Sequence, residues 1–310
     1  MPTAALPDVT DYAAFDALHD DPSAWRAAIV ALAAELGTPE AEVRQESEGT
    51  VLVAHLGDDR VLKVYPPFLR DHFEFESATL GLLHGRLTVP TPKLLASSER
   101  HGWPWLLMRR MQGDPLTATW PAMSEAERCA LLHDIGALIN EVHTLPATQV
   151  ESMAAHAPPW HEFIARQRAQ CVERHRRHGL PADLLADLPA FVAGPLPEGP
   201  PVLLTGEYTP FNLFTQANRL NAMFDFGDGL VGPREYDWLG PQCFLVAGDA
   251  ERSAALMRGL GVTLTDERRL ALMRLLLLHR YSHLKAQVKI EGWEHLRSFE
   301  EIAARLWPLP

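Results

Sequence analysis

The segment Thr205-Gly206-Glu207-Tyr208-Thr209-Pro210-Phe211-Asn212 leads, after an apolar run, into Asp225-Phe226-Gly227-Asp228. A carboxylate, an amide and a second carboxylate in that order suit phosphoryl transfer. Glu207 would position an acceptor hydroxyl and accept its proton, and Asn212 and Asp225 would hold Mg²⁺ against the phosphates. Magnesium takes hard oxygen ligands and needs only one or two from the protein when phosphates and water supply the rest. Taken singly, each of these is an ordinary loop residue or turn cap. Their order, with strand-like runs on either side, gives them weight.

Elements of two kinds must position this set. In the first third of the chain, Asp21-Pro22 opens a helix carrying Trp25, Ile29, Leu32 and Leu36, and Gly37 closes it. VLVAHL and RVLKVY, separated by Gly57-Asp58-Asp59, read as a hairpin. A helix with Phe75, Leu80 and Leu83 on one face and Glu76 beside them follows Pro66-Pro67, and two more strands, KLLAS and Trp105 to Met108, come next. Gly113-Asp114-Pro115 marks a linker. Beyond it Ser124-Glu-Ala-Glu127 is a capping box opening a helix with Leu131, Ile135, Leu138 and Val142, and a second helix spans about Trp160 to His178. VLLT and AMFDF read as a hairpin-like pair, and helical spacing returns after Tyr236 through Leu306. The expected fold class is therefore α+β, with a small antiparallel sheet first and a mainly helical remainder.

At 310 residues the chain is long enough for two lobes around a cleft. The formal charge is −12, which argues against nucleic acid or an anionic membrane as partner and permits a cationic small molecule. Cys129, Cys171 and Cys243 show no metal-binding spacing and read as core residues. The first residues lack the basic and apolar regions of a signal peptide, so a cytoplasmic location is expected, as monomer or homodimer. Arginine outnumbers lysine 24 to 4, so Lys63 inside a strand stands out as a compact point charge suited to phosphate.

In these residues the chain resembles the aminoglycoside phosphotransferases and their choline and fructosamine kinase relatives. Thr205-Gly206-Glu207 stands where that family reads His-Gly-Asp, Asn212 ends the same loop, and Phe224-Asp225-Phe226 matches Ile-Asp-Phe. The matches run in family order from about residue 45 to 240. The resemblance implies a protein-kinase-like bilobal fold: a nucleotide lobe at 1–108 with a helical extension, a hinge at 109–115, and a helical catalytic and acceptor lobe at 116–310. It implies ATP or GTP with Mg²⁺ as cofactors and a small-molecule hydroxyl, an aminoglycoside or other amino sugar, as acceptor. By the same likeness Lys63 contacts phosphates, Glu76 fixes Lys63, with Glu74 as its competitor, and Met108 lies at the hinge that binds adenine. Ser47 and Gly49, in a turn before Lys63, cover the phosphates with backbone N–H groups. His143 ends a Leu-His-x-x-Pro-type helix, and Asp237 braces the catalytic loop.

Two departures leave other readings open. Glu207 is longer than Asp by about 1.5 Å, and a shift of about 1 Å can cost on the order of 10²-fold in rate. With Thr205 in place of His, a nucleotide-binding pseudokinase with a regulatory role is the first alternative. The second is an NAD-binding oxidoreductase, raised by the GxGxxG match at Gly227-Asp-Gly229-Leu-Val-Gly232, which requires a helix beginning inside the motif. The basic stretch His175-Arg-Arg-His178 reads as a solvated helix face.

Overall fold

Alternating apolar residues in Leu52–Leu56 (β2) and Arg60–Val64 (β3), joined at Gly57-Asp58-Asp59, give an antiparallel hairpin in which Leu52 faces Val64 and Leu56 faces Arg60. It is the middle of a five-stranded antiparallel sheet completed by Val43–Gln45 (β1), Leu94–Arg100 (β4) and Trp103–Arg109 (β5), in the order β1-β2-β3-β5-β4. This is a computed structural model, and it describes residues 5–47, 49–206 and 208–309.

The described chain divides into two compact units. The first runs up to Arg86 and includes Pro90–Gln112 and Phe226–Asp228. The second holds Leu87–Val89, Gly113–Asp225 and the chain from Gly229 onward.

In the first unit, helix Pro22–Glu35 (α2) starts as its sequence dictates: Asp21 accepts a hydrogen bond from Ser23 N and Pro22 opens the first turn. The sequence reading did not include the helix before it, Tyr12–His19 (α1), which Asp11 caps through Ala14 N. Phe15 and Leu18 of α1 and Trp25, Ile29 and Leu32 of α2 form a core with Leu62, Val64, Trp103, Trp105 and Leu107. Since side chains alternate along a strand, Lys63, between Leu62 and Val64, points to the opposite face. Helix Arg70–Leu83 (α3) packs against β5 and β4, and β5 is buried along almost its whole length.

The second unit begins with Asp114–Pro115 (β6), the single helical turn Leu116–Thr119 (α4) and Glu125–His143 (α5). The capping box of α5 forms as expected, and hydrogen bonds from Ser124, foremost its side chain, draw the Glu127 pKa down to about 2. Ala147–Ala154 (α6), Trp160–Arg177 (α7) and Ala182–Val192 (α8) follow, then four short strands: Val202–Leu204 (β7), Leu213–Gln216 (β8), Arg219–Met223 (β9) and Leu230–Gly232 (β10).

The expected pairing of VLLT with AMFDF is corrected here. β9 pairs with β8, and β7 pairs with β10, Val202 opposite Gly232. The reason is the turn Ala217-Asn218, both residues at positive φ (50° and 60°), which makes a two-residue hairpin whose twist suits adjacent strands. Ala-Asn is a weak sequence signal for that turn.

The region after Tyr236 is also less regular than its spacing suggests. A 3₁₀ turn (Arg234–Trp238), a short α-helical turn (Leu239–Pro241, α9) and a π-helical turn (Gln242–Val246) precede Ala250–Leu260 (α10) and Asp266–Leu278 (α11). Leu284–Gln287 (α12) and Phe299–Leu306 (α13) complete the chain. α5 and α10 cross through two glycines: a Cβ on Gly136 would stand 2.5 Å from Leu256 O, and one on Gly259 only 2.2 Å from His133 O.

The basic stretch of α7 is a solvated face only in part. Arg174 and His175 are buried, because the carbonyl of Leu277, near the C-terminal end of α11, draws Arg174 Nη2 (3.1 Å), His175 Nε2 (3.0 Å) and Cys171 Sγ (3.4 Å) toward it. Burial lowers the His175 pKa to about 4 and raises the Cys171 thiol to about 11. Cys243 is buried as well, and Cys129 is half-buried.

Candidate functional site

The first unit supplies a buried ion pair. Lys63 Nζ donates to Glu76 Oε1 at 2.8 Å and to Oε2 at 3.0 Å, with Glu76 1% exposed and Lys63 8% exposed. Glu74, its competitor in the sequence, is exposed. Tyr65 OH also donates to Glu76 Oε2. Two charges buried together need such geometry and extra hydrogen bonds, because desolvation otherwise exceeds their attraction.

Part of the acidic motif lies in the same unit. Gly227 lies against α3, where a Cβ would make ordinary contact, 3.4 Å from Glu76 Oε2 and 3.6 Å from His72 Cβ. His72 Nδ1 lies 3.3 Å from Asp228 Oδ1, and Phe226 is fully buried. Met108 stands in mid-sheet opposite Val61 and Leu94, and the next backbone N–H groups, of Arg109 and Arg110, donate to Lys93 O (2.9 Å) and Asp59 O (2.7 Å). Ser47 and Gly49 sit exposed in the connection from β1 to β2, Gly49 at φ +119°. Glu48 lies outside the described residues.

The second unit holds the loop that follows β7. Glu207 lies outside the described residues, but the backbone before it is firmly held. Asp237 accepts hydrogen bonds from Gly206 N (2.8 Å, Oδ1), Thr205 N (3.2 Å, Oδ2) and His143 Nε2 (2.9 Å, Oδ2). The side chains of His143 and Asp237 are completely buried. Tyr208 is buried beside them. Its phenol pKa is raised well above the ordinary value by burial and by the Asp237 charge, with the Thr205 hydroxyl acting in the opposite sense.

Asn212 enters β8 nearly buried, and its carbonyl accepts from Phe224 N at 3.1 Å. That bond fixes the backbone one residue ahead of Asp225, which takes φ +70°. A non-glycine residue there is strained, and such strain persists only where neighbours over-determine it. The Asn212 amide and the Asp225 carboxylate are hard oxygen donors of the kind magnesium accepts.

The structure thus joins Lys63 to Glu76 and carries Asn212 and Asp225 on adjoining backbone. Three participants were missed in the sequence, and two had a readable signal. Tyr65 lies two residues from Lys63, the strand period, and His72 lies four before Glu76, the helix period. Tyr208 had none. The GxGxxG match is a coincidence: Leu230–Gly232 is a strand, and a Cβ on Gly232 would stand 2.6 Å from the Trp160 ring. No helix starts inside the motif to receive a pyrophosphate.

The chain is similar to known proteins in sequence and in fold. The sequence model described as the phosphotransferase enzyme family matches residues 41–273. Among solved structures, the GDP and kanamycin complex of APH(2")-IIIa is 19% identical with a TM-score of 0.65, over 86% of this chain and 91% of that one. The streptomycin–ATP–APH(2")-IIa ternary complex is 18% identical with a TM-score of 0.60, over 79% and 87%. Macrolide 2'-phosphotransferase MphH from Brachybacterium faecium is 19% identical with a TM-score of 0.57, over 92% and 98%. These likenesses assign the protein-kinase-like bilobal α+β fold, and with the match over residues 41–273 the chain belongs to the phosphotransferase enzyme family.

Proposed function

We propose that this protein transfers the γ-phosphoryl group of ATP or GTP to a hydroxyl of a small molecule, with residues 1–108 binding nucleotide, 109–115 as hinge, and 116–310 carrying catalysis and acceptor binding. The observation that carries this reading is the buried Lys63–Glu76 pair with Gly227 packed against it, which ties the phosphate-binding lysine to the Asp-Phe-Gly-Asp segment.

Lys63 would contact the α/β-phosphates, held in place by Glu76 and Tyr65. Asn212 and Asp225 would hold Mg²⁺, which when bound offsets phosphate charge. Glu207 would orient the acceptor hydroxyl and take its proton as the new oxygen–phosphorus bond forms and the bridging bond to the leaving ADP or GDP breaks. Backbone N–H groups near Ser47 and Gly49 would cover the phosphates, and the chain beyond Met108 would meet the base. The neighbours solved with kanamycin and streptomycin support an amino sugar as acceptor, and the macrolide enzyme widens the class to other polyol antibiotics.

The test is release of ADP or GDP by purified protein with Mg²⁺ and a panel of aminoglycosides, macrolides and amino alcohols. Turnover is expected with at least one acceptor, falling at least 10²-fold in Glu207→Gln. Asn212→Ala and Asp225→Ala should weaken Mg-nucleotide binding. Nucleotide-dependent thermal stabilisation with no turnover on any acceptor would instead favour the pseudokinase, which Thr205 and Glu207 motivate. Full turnover in Glu207→Gln would remove it as base.

A further inference from the structure

A cavity of about 680 Å³ lies wholly within the second unit, between the loop after α8 and the N-terminal turns of α11. No residue assigned above to phosphoryl transfer lines it. Its volume falls within the range of about 300–1,000 Å³ typical of small-molecule sites. Leu196, Leu270 and Ala271 form its apolar wall.

Its polar lining has an unbalanced charge. Glu235 contributes a carboxylate although the residue is only 8% exposed. Among the described residues no hydrogen bond reaches that carboxylate. Its nearest cation, Arg268 Nε, stands 3.7 Å away, beyond hydrogen-bonding distance. Arg268 therefore offsets the charge without donating to the carboxylate, whose oxygens keep their capacity to accept from a ligand.

The two arginines of the lining also hold other partners. Arg268 Nη1 donates to Thr263 O, and its guanidinium lies 5.7 Å from the centre of the Trp238 ring. Arg274 donates to Phe191 O and to Pro195 O, each at 3.1 Å. Two further carboxylates, Glu198 and Glu267, line the rim.

We propose that this cavity is a binding site for an organic ammonium, a primary amine on a small apolar body. The amine donates to Glu235 and the body lies on Leu196, Leu270 and Ala271. An anion would meet three carboxylates there, and a neutral ligand would add no cation to Arg268, 3.7 Å from Glu235. Glu235 shares one 3₁₀ turn with Asp237, which holds Thr205 and Gly206. The site does not depend on the proposed reaction.

The experiment is calorimetric titration of the full chain, without nucleotide, with 2-phenylethylamine and with uncharged 2-phenylethanol as its matched control. Saturable one-site binding of the amine is expected, with the alcohol at least tenfold weaker. Glu235→Gln should weaken the amine at least tenfold, and Ala271→Trp, which places an indole on the apolar wall of the cavity, should weaken it at least tenfold while circular dichroism shows the fold retained. Equal affinity for amine and alcohol, no amine binding, or unchanged affinity in Ala271→Trp would each overturn the proposal.

Discussion

Replacing Asp237 with asparagine tests the brace beneath the candidate catalytic loop. The carboxylate is completely buried and meets three donors: Gly206 N at Oδ1, and Thr205 N and His143 Nε2 at Oδ2. Asparagine keeps one oxygen. Whichever way the amide turns, its NH₂ group faces a donor, and the gentler arrangement places it against Gly206 N. That loses one charge-assisted hydrogen bond, about 1.5–3 kcal/mol, and opposes two N–H groups, for a total of about 2–4 kcal/mol. The affected unit has roughly 200 residues, for which each kcal/mol moves Tm by about 2–4 °C. Asp237→Asn should therefore lower Tm by about 4–16 °C, followed by far-ultraviolet circular dichroism. A double-mutant cycle with His143→Gln should return a coupling above about 1 kcal/mol, since the two side chains share one bond. If Asp237→Asn moves Tm by less than about 1 °C, or the cycle shows no coupling, the carboxylate does not hold the loop and the bracing argument fails.

Glu76→Gln should cost about 3–5 kcal/mol in urea unfolding, because Lys63 would keep its burial without its counter-charge, and the double variant Lys63→Met/Glu76→Gln should recover much of that loss. Gly259→Ala gains about 1 kcal/mol of helix propensity, yet its Cβ would meet His133 O at 2.2 Å, so a net loss of about 1–3 kcal/mol is expected, and a neutral or stabilised protein would contradict the tight α5–α10 crossing. His175 predicts acid sensitivity. Its folded pKa, about 4, lies below the ordinary 6.5, so the unfolded chain binds the extra proton first. The stability is complete above about pH 6.5 and declines as pH falls toward about 4, by about 3 kcal/mol in all. Between about pH 7.5 and about pH 4.5, His175→Gln should lose correspondingly less stability than wild type in urea titrations, and parallel profiles would disprove the assignment.

What could be read from the sequence was whatever a local period or cap determines. The α2 start, the β2–β3 hairpin and the capping box at Ser124 each follow from residues within one turn of the feature. Lys63 was legible because lysine is scarce in an arginine-rich chain, and the structure adds that its neighbours Leu62 and Val64 enter the core on the opposite face. What failed depended on partners distant in sequence. β7 pairs with β10 across the intervening loop and the β8–β9 hairpin, and Arg174 and His175 are buried by a carbonyl about a hundred residues on.

Charge shows the same division. Residues 1–108 hold 16 acids against 8 bases, and residues 109–310 hold 24 against 20, so two thirds of the −12 lies in the expected nucleotide part and says nothing of a cationic acceptor. The acids left in view, Asp225, Asp228, Glu235 and Asp237 against Arg234, look in sequence like one negative patch. The structure gives them separate uses. Asp228 meets His72 in the first unit, Asp237 turns inward to three donors, Asp225 sits at φ +70° behind Asn212, and Glu235 lines the cavity beside Arg268. Charge density along a chain is therefore not density in space, and a preference for cations has to be argued one carboxylate at a time, from what each already holds.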